Sequence, residues 1–264
     1  MYKEWLNKKE TTKELLTDSL AFKFENTLSL GIDLPNLLGL HWCVTQPGEP
    51  RSNLSKDGHI KRGNFFPPIE LPQRMWASSK INFYHKLIFN EEVERNSEIV
   101  KIELKESKNS GELYFVYLKH KYFQKKELIL DETQTLVYKN PSLRKESPIE
   151  KIDKKEKLFE IVPDNLMLFR FSALTFNSHR IHYDKDYALN EENYPELVVQ
   201  GPLIASIAMN LIQSKNPKKD LKNFEFNIVS PSYVNNGLHI YANDNSVKVL
   251  GDENQILMSG LYQF

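Results

Sequence analysis

Asn177, His179 and His182 stand in one short string, NSHRIH, inside FRFSALTFNSHRIHYDKDYA (residues 169–188). An imidazole changes protonation near neutral pH, so His182 is the candidate for moving a proton. Asn177 is no base near neutral pH, but it donates and accepts hydrogen bonds. It can orient a water or an imidazole, and it equally suits a backbone turn. On a helix His179 and His182 would share a face; on a loop they need not. Two histidines fall short of the three protein ligands a catalytic metal needs. With no HExxH string and no Cys cluster, no metal is expected. Arg180 and Asp184 are placed to pair with each other, or with Glu191 or Glu192, as a surface ion pair.

A second ingredient follows in VVQGPL. Gly201 precedes a helical pattern, and the first turn of a helix has unpaired N–H groups. Glycine lets a ligand approach the backbone, where those groups and the helix dipole would stabilise an oxyanion. Equally, Gly201 could simply start the helix.

Elements must position these residues. Leu203, Ile204, Ile207, Ala208, Leu211 and Ile212 put a broad apolar face on a helix over about 202–214. Pro202 suits its start, and Asn216-Pro217 stops it. Alternation at Phe224, Phe226 and Ile228, and from Ile256 to Phe264, reads as strands, with VNNG and GDEN as hairpin connections. Pro163-Asp164 opens the apolar segment ahead of the histidines. Earlier in the chain, helical patterns lie around residues 3–8 and 17–30, with Thr17 and Asp18 as caps. A long polar, Pro-rich passage with the turn signal Asp57-Gly58 comes next. Then EIVKIELKE alternates Val100, Ile102 and Leu104 with charges, as a half-buried strand does, and YFVYLKHKYF and ILDETQTLVYK read as further strands. Residues 140–157, charged and carrying Pro141 and Pro148, read as a linker. The chain therefore divides into residues 1–139 and 158–264. A long apolar helix followed by antiparallel strands is buried economically when the sheet wraps it, an α+β layering.

The chain has 264 residues, with 35 Lys plus Arg against 35 Asp plus Glu. Zero formal net charge removes a general drive toward nucleic acid or anionic membrane. A single cysteine, Cys43, excludes an internal disulfide and fits a reducing compartment. The first residues show no signal-peptide pattern and no stretch is long and apolar enough to span a bilayer, so the expected location is cytoplasmic.

At FRFSALTFNSHRIHYDKDYA, YPELVVQGPL and KRGNFFPPIELPQRMWAS the chain resembles the MaoC-like hydratase and dehydratase family, and within it the double-hotdog hydroxyacyl-thioester dehydratases. The likeness covers most of the chain in order. It implies two fused hotdog units, each an antiparallel sheet around a helix. The wider family's catalytic His falls on His182, its Asp on Asn177 and its Asn on His179; Gln200 stands where the family has a His before the glycine. The resemblance implies that His182 moves the proton, that Asn177 and His179 hold water and imidazole, and that the Gly201 N–H takes the thioester oxygen. Arg180, Arg74 and Trp76 are candidate pocket residues, with packing the other role for Trp76. The first half is expected to have lost the catalytic motif and to form the acyl channel.

The implied reaction is gain or loss of water at the 2,3-double bond of an enoyl-CoA, with a branched or dicarboxylic C5 acyl group such as mesaconyl-C4-CoA or itaconyl-CoA favoured. No cofactor is implied beyond the coenzyme A of the substrate. The implied assembly is a homodimer of double hotdogs. Alternatives are a fatty-acid-type 3-hydroxyacyl-thioester dehydratase, a hotdog thioesterase and a non-catalytic acyl-CoA-binding module.

Overall fold

The computed structural model describes residues 2–107, 111–141, 147–151 and 157–264. The first half runs β1 (Lys9–Leu16), α1 (Asp18–Leu28), β2 (Gln73–Phe83), β3 (Glu91–Ser107), β4 (Gly111–Gln124) and β5 (Glu127–Lys139). The second runs β6 (Lys157–Ile161), α2 (Asn165–Leu174), α3 (Lys185–Asn190), α4 (Gly201–Lys215), β7 (Asn223–Ile228), β8 (Leu238–Ala242), β9 (Ser246–Leu250) and β10 (Ile256–Gln263).

The ten strands among the described residues form one antiparallel sheet in the order β1-β3-β4-β5-β2-β7-β10-β9-β8-β6. Within each half the order of the strands, counted along that half, is the same: first, third, fourth, fifth, second. The halves meet where β2 pairs with β7, from Ser78 opposite Asn227 to Asn82 opposite Asn223. This is the α+β double hotdog.

Helix α4 is its centre. Every residue from Leu203 to Gln213 is buried, as befits a helix enclosed on all sides. Two of its buried polar members, Asn210 and Gln213, are paired, whereas Ser206 Oγ has no hydrogen-bond partner among the described residues. Asn210 accepts from the Leu38 N–H at 3.1 Å and donates to the Leu38 carbonyl at 2.7 Å. Gln213 accepts from Leu221 N–H and donates to Lys219 O. A buried amide left unpaired would cost about 1–3 kcal/mol. α4 thereby anchors segments of both halves.

Several expectations need correction. Residues 6–8 are not helical; after a short 3-10 turn at Lys3–Trp5 the chain enters β1. In β3, Val100 and Leu104 are exposed; the buried side runs through Val93, Arg95, Ser97 and Ile99, and a register shift between Ile99 and Lys101 turns the pattern over. GDEN does join β9 to β10. VNNG does not form a hairpin, because it leads into β8, which is not a neighbour of β7. Much of the 140–157 stretch lies outside the described residues. Its described part is fastened to the β9–β10 turn, with Glu150 N–H on Asn254 O at 3.0 Å and Lys248 paired with Glu150 at 2.8 Å.

Candidate active site

Asp164 caps α2 by accepting from the Met167 N–H. Beyond α2 the chain reverses at Phe176, whose φ is 48°. The Asn177 side-chain oxygen then accepts from the His179 N–H at 3.1 Å, an Asx turn. Arg180–His182 form one 3-10 turn, and Asp184 caps α3. The two histidines therefore do not share a helix face. Their rings stand nearly perpendicular, 87°, with centroids 5.4 Å apart.

His182 is buried, and its Nδ1 lies 2.7 Å from the Val198 carbonyl oxygen. A carbonyl only accepts, so Nδ1 carries the hydrogen and Nε2 is the basic nitrogen. Burial lowers the imidazole to a pKa of about 4, against the opposing pull of the Val198 bond. At neutral pH it is a neutral base. Val198 itself stands three residues before Gly201, the first residue of α4. A Cβ at Gly201 would stand 3.2 Å from Ile228, a tight approach.

The first half enters through the loop at Lys56–His59. The Arg180 N–H donates to Asp57 O at 2.9 Å and the Ser178 hydroxyl to Gly58 O at 2.5 Å. Gly58 has φ +89°, and a Cβ there would fall 1.7 Å from Ser178 O, so the close crossing requires glycine. Asp57 accepts from the His59 backbone N–H at 2.9 Å, and its other oxygen lies 3.0 Å from His59 Nδ1. The His59 and His179 rings lie 4.0 Å apart. Burial chiefly, then neighbouring positive groups including Arg74, holds His59 well below the usual imidazole range. Burial, His59 and His182 do the same for His179.

Asp57 and His59 were missed in the sequence, where Asp57-Gly58 signals only a turn. They also join His179 in a cluster of groups of metal-ligand type. Asp57, His59 and His179 offer three ligand atoms within 4.8 Å of one another. A cation there would share the site with Arg74 and Arg62, whose charges already weigh on His59. The 3.0 Å Asp57–His59 contact makes a carboxylate–imidazole dyad in its own right.

The remaining candidates separate. Arg74 sits 5.3 Å over the Phe66 ring, and its charge helps hold His59 and His179 below the usual imidazole range. Trp76 packs edge-on to Trp42 and donates to Ser79 Oγ at 2.9 Å, a packing role. Arg180 is a strut: it pairs with Asp184 at 2.7 Å, stacks 4.2 Å over Tyr187 and donates to Lys56 O at 3.2 Å. Gln200 is buried and donates to Leu168 O and Ser172 Oγ, both at 2.9 Å, tying α2 to the start of α4.

The architecture is that of MaoC-like hydratases and dehydratases. A solved structure of HtdX from Mycobacterium tuberculosis superposes with a TM-score of 0.71 over 96% of this chain and 98% of that one, at 13% identity. The family model for hydroxyacyl-thioester dehydratase type 2 matches residues 39–234, and the chain belongs to that family. It is 41% identical to mesaconyl-C(4)-CoA hydratase of Chloroflexus aurantiacus over 73% of this chain and 69% of the relative. It is 31% identical to the mitochondrial hydroxyacyl-thioester dehydratase type 2 of Schizosaccharomyces pombe over 76% of each. The chain is accordingly a hydro-lyase. No helix among the described residues is long and apolar enough to cross a membrane.

Proposed function

We propose that the chain adds or removes water at the 2,3-double bond of a short branched or dicarboxylic C5 enoyl-CoA, such as mesaconyl-C4-CoA. The observation that carries this reading is His182, a buried neutral imidazole with Nδ1 fixed on Val198 O and Nε2 left basic. In the hydration direction Nε2 takes a proton from water as the water oxygen bonds to C3. The double-bond electrons move onto the thioester oxygen, where the Gly201 N–H at the helix terminus stabilises the charge. The proton held by His182 then passes to C2, and the thioester stays intact.

Asn177 sets the turn that presents His179. The Asp57–His59 dyad holds the opposite side of the site and orients the attacking water. Arg74, beside the histidines, is the cation for the free carboxylate of a dicarboxylic acyl group. The 41% identity to mesaconyl-C(4)-CoA hydratase supports that choice of acyl group.

The proposal extends to a cytoplasmic, cofactor-free enzyme built of two hotdog units, residues 1–139 and 158–264, and assembled as a homodimer. The buried, unbridged Cys43 supports a reducing compartment. Sizing of the purified chain checks the dimer.

The function is tested with a panel of enoyl-CoA and 3-hydroxyacyl-CoA substrates. The expected product retains its thioester and gains or loses the conjugated enoyl absorbance. Release of free coenzyme A without that change would make the chain a thioesterase instead.

A further inference from the structure

The first half contains a string that its apolar surroundings disguise. In NLLGLH, Asn36 stands five residues before His41, the spacing of Asn177 and His182. The position in the fold matches as well. His182 ends the 3-10 turn that follows β6 and α2; His41 lies in the 3-10 turn Leu40–Cys43 that follows β1 and α1. The expectation that this half has no counterpart of the motif is therefore corrected.

A cavity of about 60 Å³ opens beside these residues, lined among others by Asn36, Leu38, His41, Phe83, Leu87 and Leu221. Its location follows the pseudo-twofold relation of the halves. The histidine site lies where β2 begins, at Arg74, and where β7 ends, at Ile228. The cavity lies where β2 ends, at Phe83, and where β7 is about to begin, at Leu221. Because β2 and β7 run antiparallel, exchanging the halves maps one location onto the other.

Two buried polar atoms at this cavity, Asn36 Oδ1 and His41 Nε2, have no hydrogen-bond partner among the described residues. His41 is 1% exposed, and its Nε2 faces Glu132 Oε2 at 3.6 Å, within ion-pair distance but longer than a hydrogen bond. Glu132 is itself held by Trp42 Nε1 at 3.0 Å and by the Ser79 hydroxyl. The Asn36 amide is oriented by donating to Asp220 at 3.3 Å, which leaves its oxygen as a free acceptor. Leaving the Asn36 oxygen unpaired, and the His41 nitrogen without a hydrogen bond, is costly, so their presence points to a ligand. The volume is several times what one water needs. The leucine and phenylalanine walls suit a short apolar chain; Lys222 borders the same cavity, as does Lys86, which is paired with Asp220 at 3.2 Å.

We propose that this cavity is a second acyl-thioester-binding site, related by pseudo-symmetry to the first. It takes a short acyl end against Leu38, Phe83, Leu87 and Leu221, with a polar substituent on Asn36 and His41, and it directs the coenzyme past the two lysines. The ligand class rests on the proposed function of the first site.

The experiment is calorimetric titration of the full chain with butyryl-CoA, a saturated thioester that cannot gain or lose water at C2–C3. Two equivalents per chain are expected for the wild type. Leu87→Trp, at the half-buried edge of the cavity, should reduce this to one, as should the milder Leu38→Phe. A wild type that turns over enoyl-CoA but binds one equivalent, unchanged in both variants, overturns the second site and leaves the proposed function standing. A wild type without turnover that binds two equivalents, with one lost in each variant, supports the second site and sinks the proposed function.

Discussion

His59 Nδ1 lies 3.0 Å from Asp57 Oδ2, and this pair, from the first half, stands against His179 of the second, ring to ring at 4.0 Å. The carboxylate that the wider family carries five residues before its histidine is Asn177 here. The carboxylate present among these histidines is Asp57 of the first half, which faces His59.

Asp57→Asn tests this relationship. The amide keeps the shape but loses the charge that fixes the His59 tautomer. Turnover should fall about 100-fold, the lower end of the range for positioned acid–base groups, with an unchanged melting temperature. A silent Asp57→Asn would remove the dyad from the mechanism.

Asn177 can be separated from a catalytic base by its turn. Asn177→Asp retains an oxygen that accepts from the His179 N–H and should keep most of the activity. Asn177→Ala loses the turn, and steady-state rates should drop at least ~10-fold, as for other lost orienting groups. If Ala at 177 is silent while His179→Ala is inactive, then the imidazole at 179 acts without help from the turn.

Acid sensitivity follows from burial. His182 and His120 are both lowered to about 4, with burial the leading cause. Their folded values lie below the unfolded value, so protonation favours the unfolded chain. The stability each contributes is full above pH 6.5 and is lost as pH falls toward 4. Each is worth about 3 kcal/mol, since every tenfold difference in proton affinity between folded and unfolded chain is about 1.4 kcal/mol. Melting temperature should decline steadily between pH 6.5 and 4, and kcat/KM should have its acidic limb near the lower value. A melting temperature flat across that interval would contradict the assignment of buried neutral imidazoles.

The central helix offers a stability measurement. Ile207 and Leu211 are 1% and 3% exposed. Truncating either to Ala should cost about 2–5 kcal/mol in denaturant unfolding. A loss under about 1 kcal/mol would mean the sheet does not enclose this helix as described.

Helix α4 was legible in the sequence because its apolar face and its Pro202 and Asn216-Pro217 ends agree. β4 and β5 were legible through their alternation. β1 was not, because in KETTKELL only Leu16 is buried; an edge strand needs little apolar surface to hold its place. His179 and His182 announced themselves by clustering. His59 did not, since a loop has no periodicity and its ring partner His179 lies in the other half. Only the glycine of Asp57-Gly58-His59, forced by Ser178 O, left a trace. His41 was hidden for the opposite reason, its leucine neighbours reading as plain core.

The most direct measurement is the turnover of His182→Ala on the best enoyl-CoA substrate, with the fold checked by circular dichroism. Removing the only group here proposed to take and return the proton should lower kcat at least ~100-fold, the scale of general acid–base catalysis. A correctly folded His182→Ala that turns over near the wild-type rate would contradict the account.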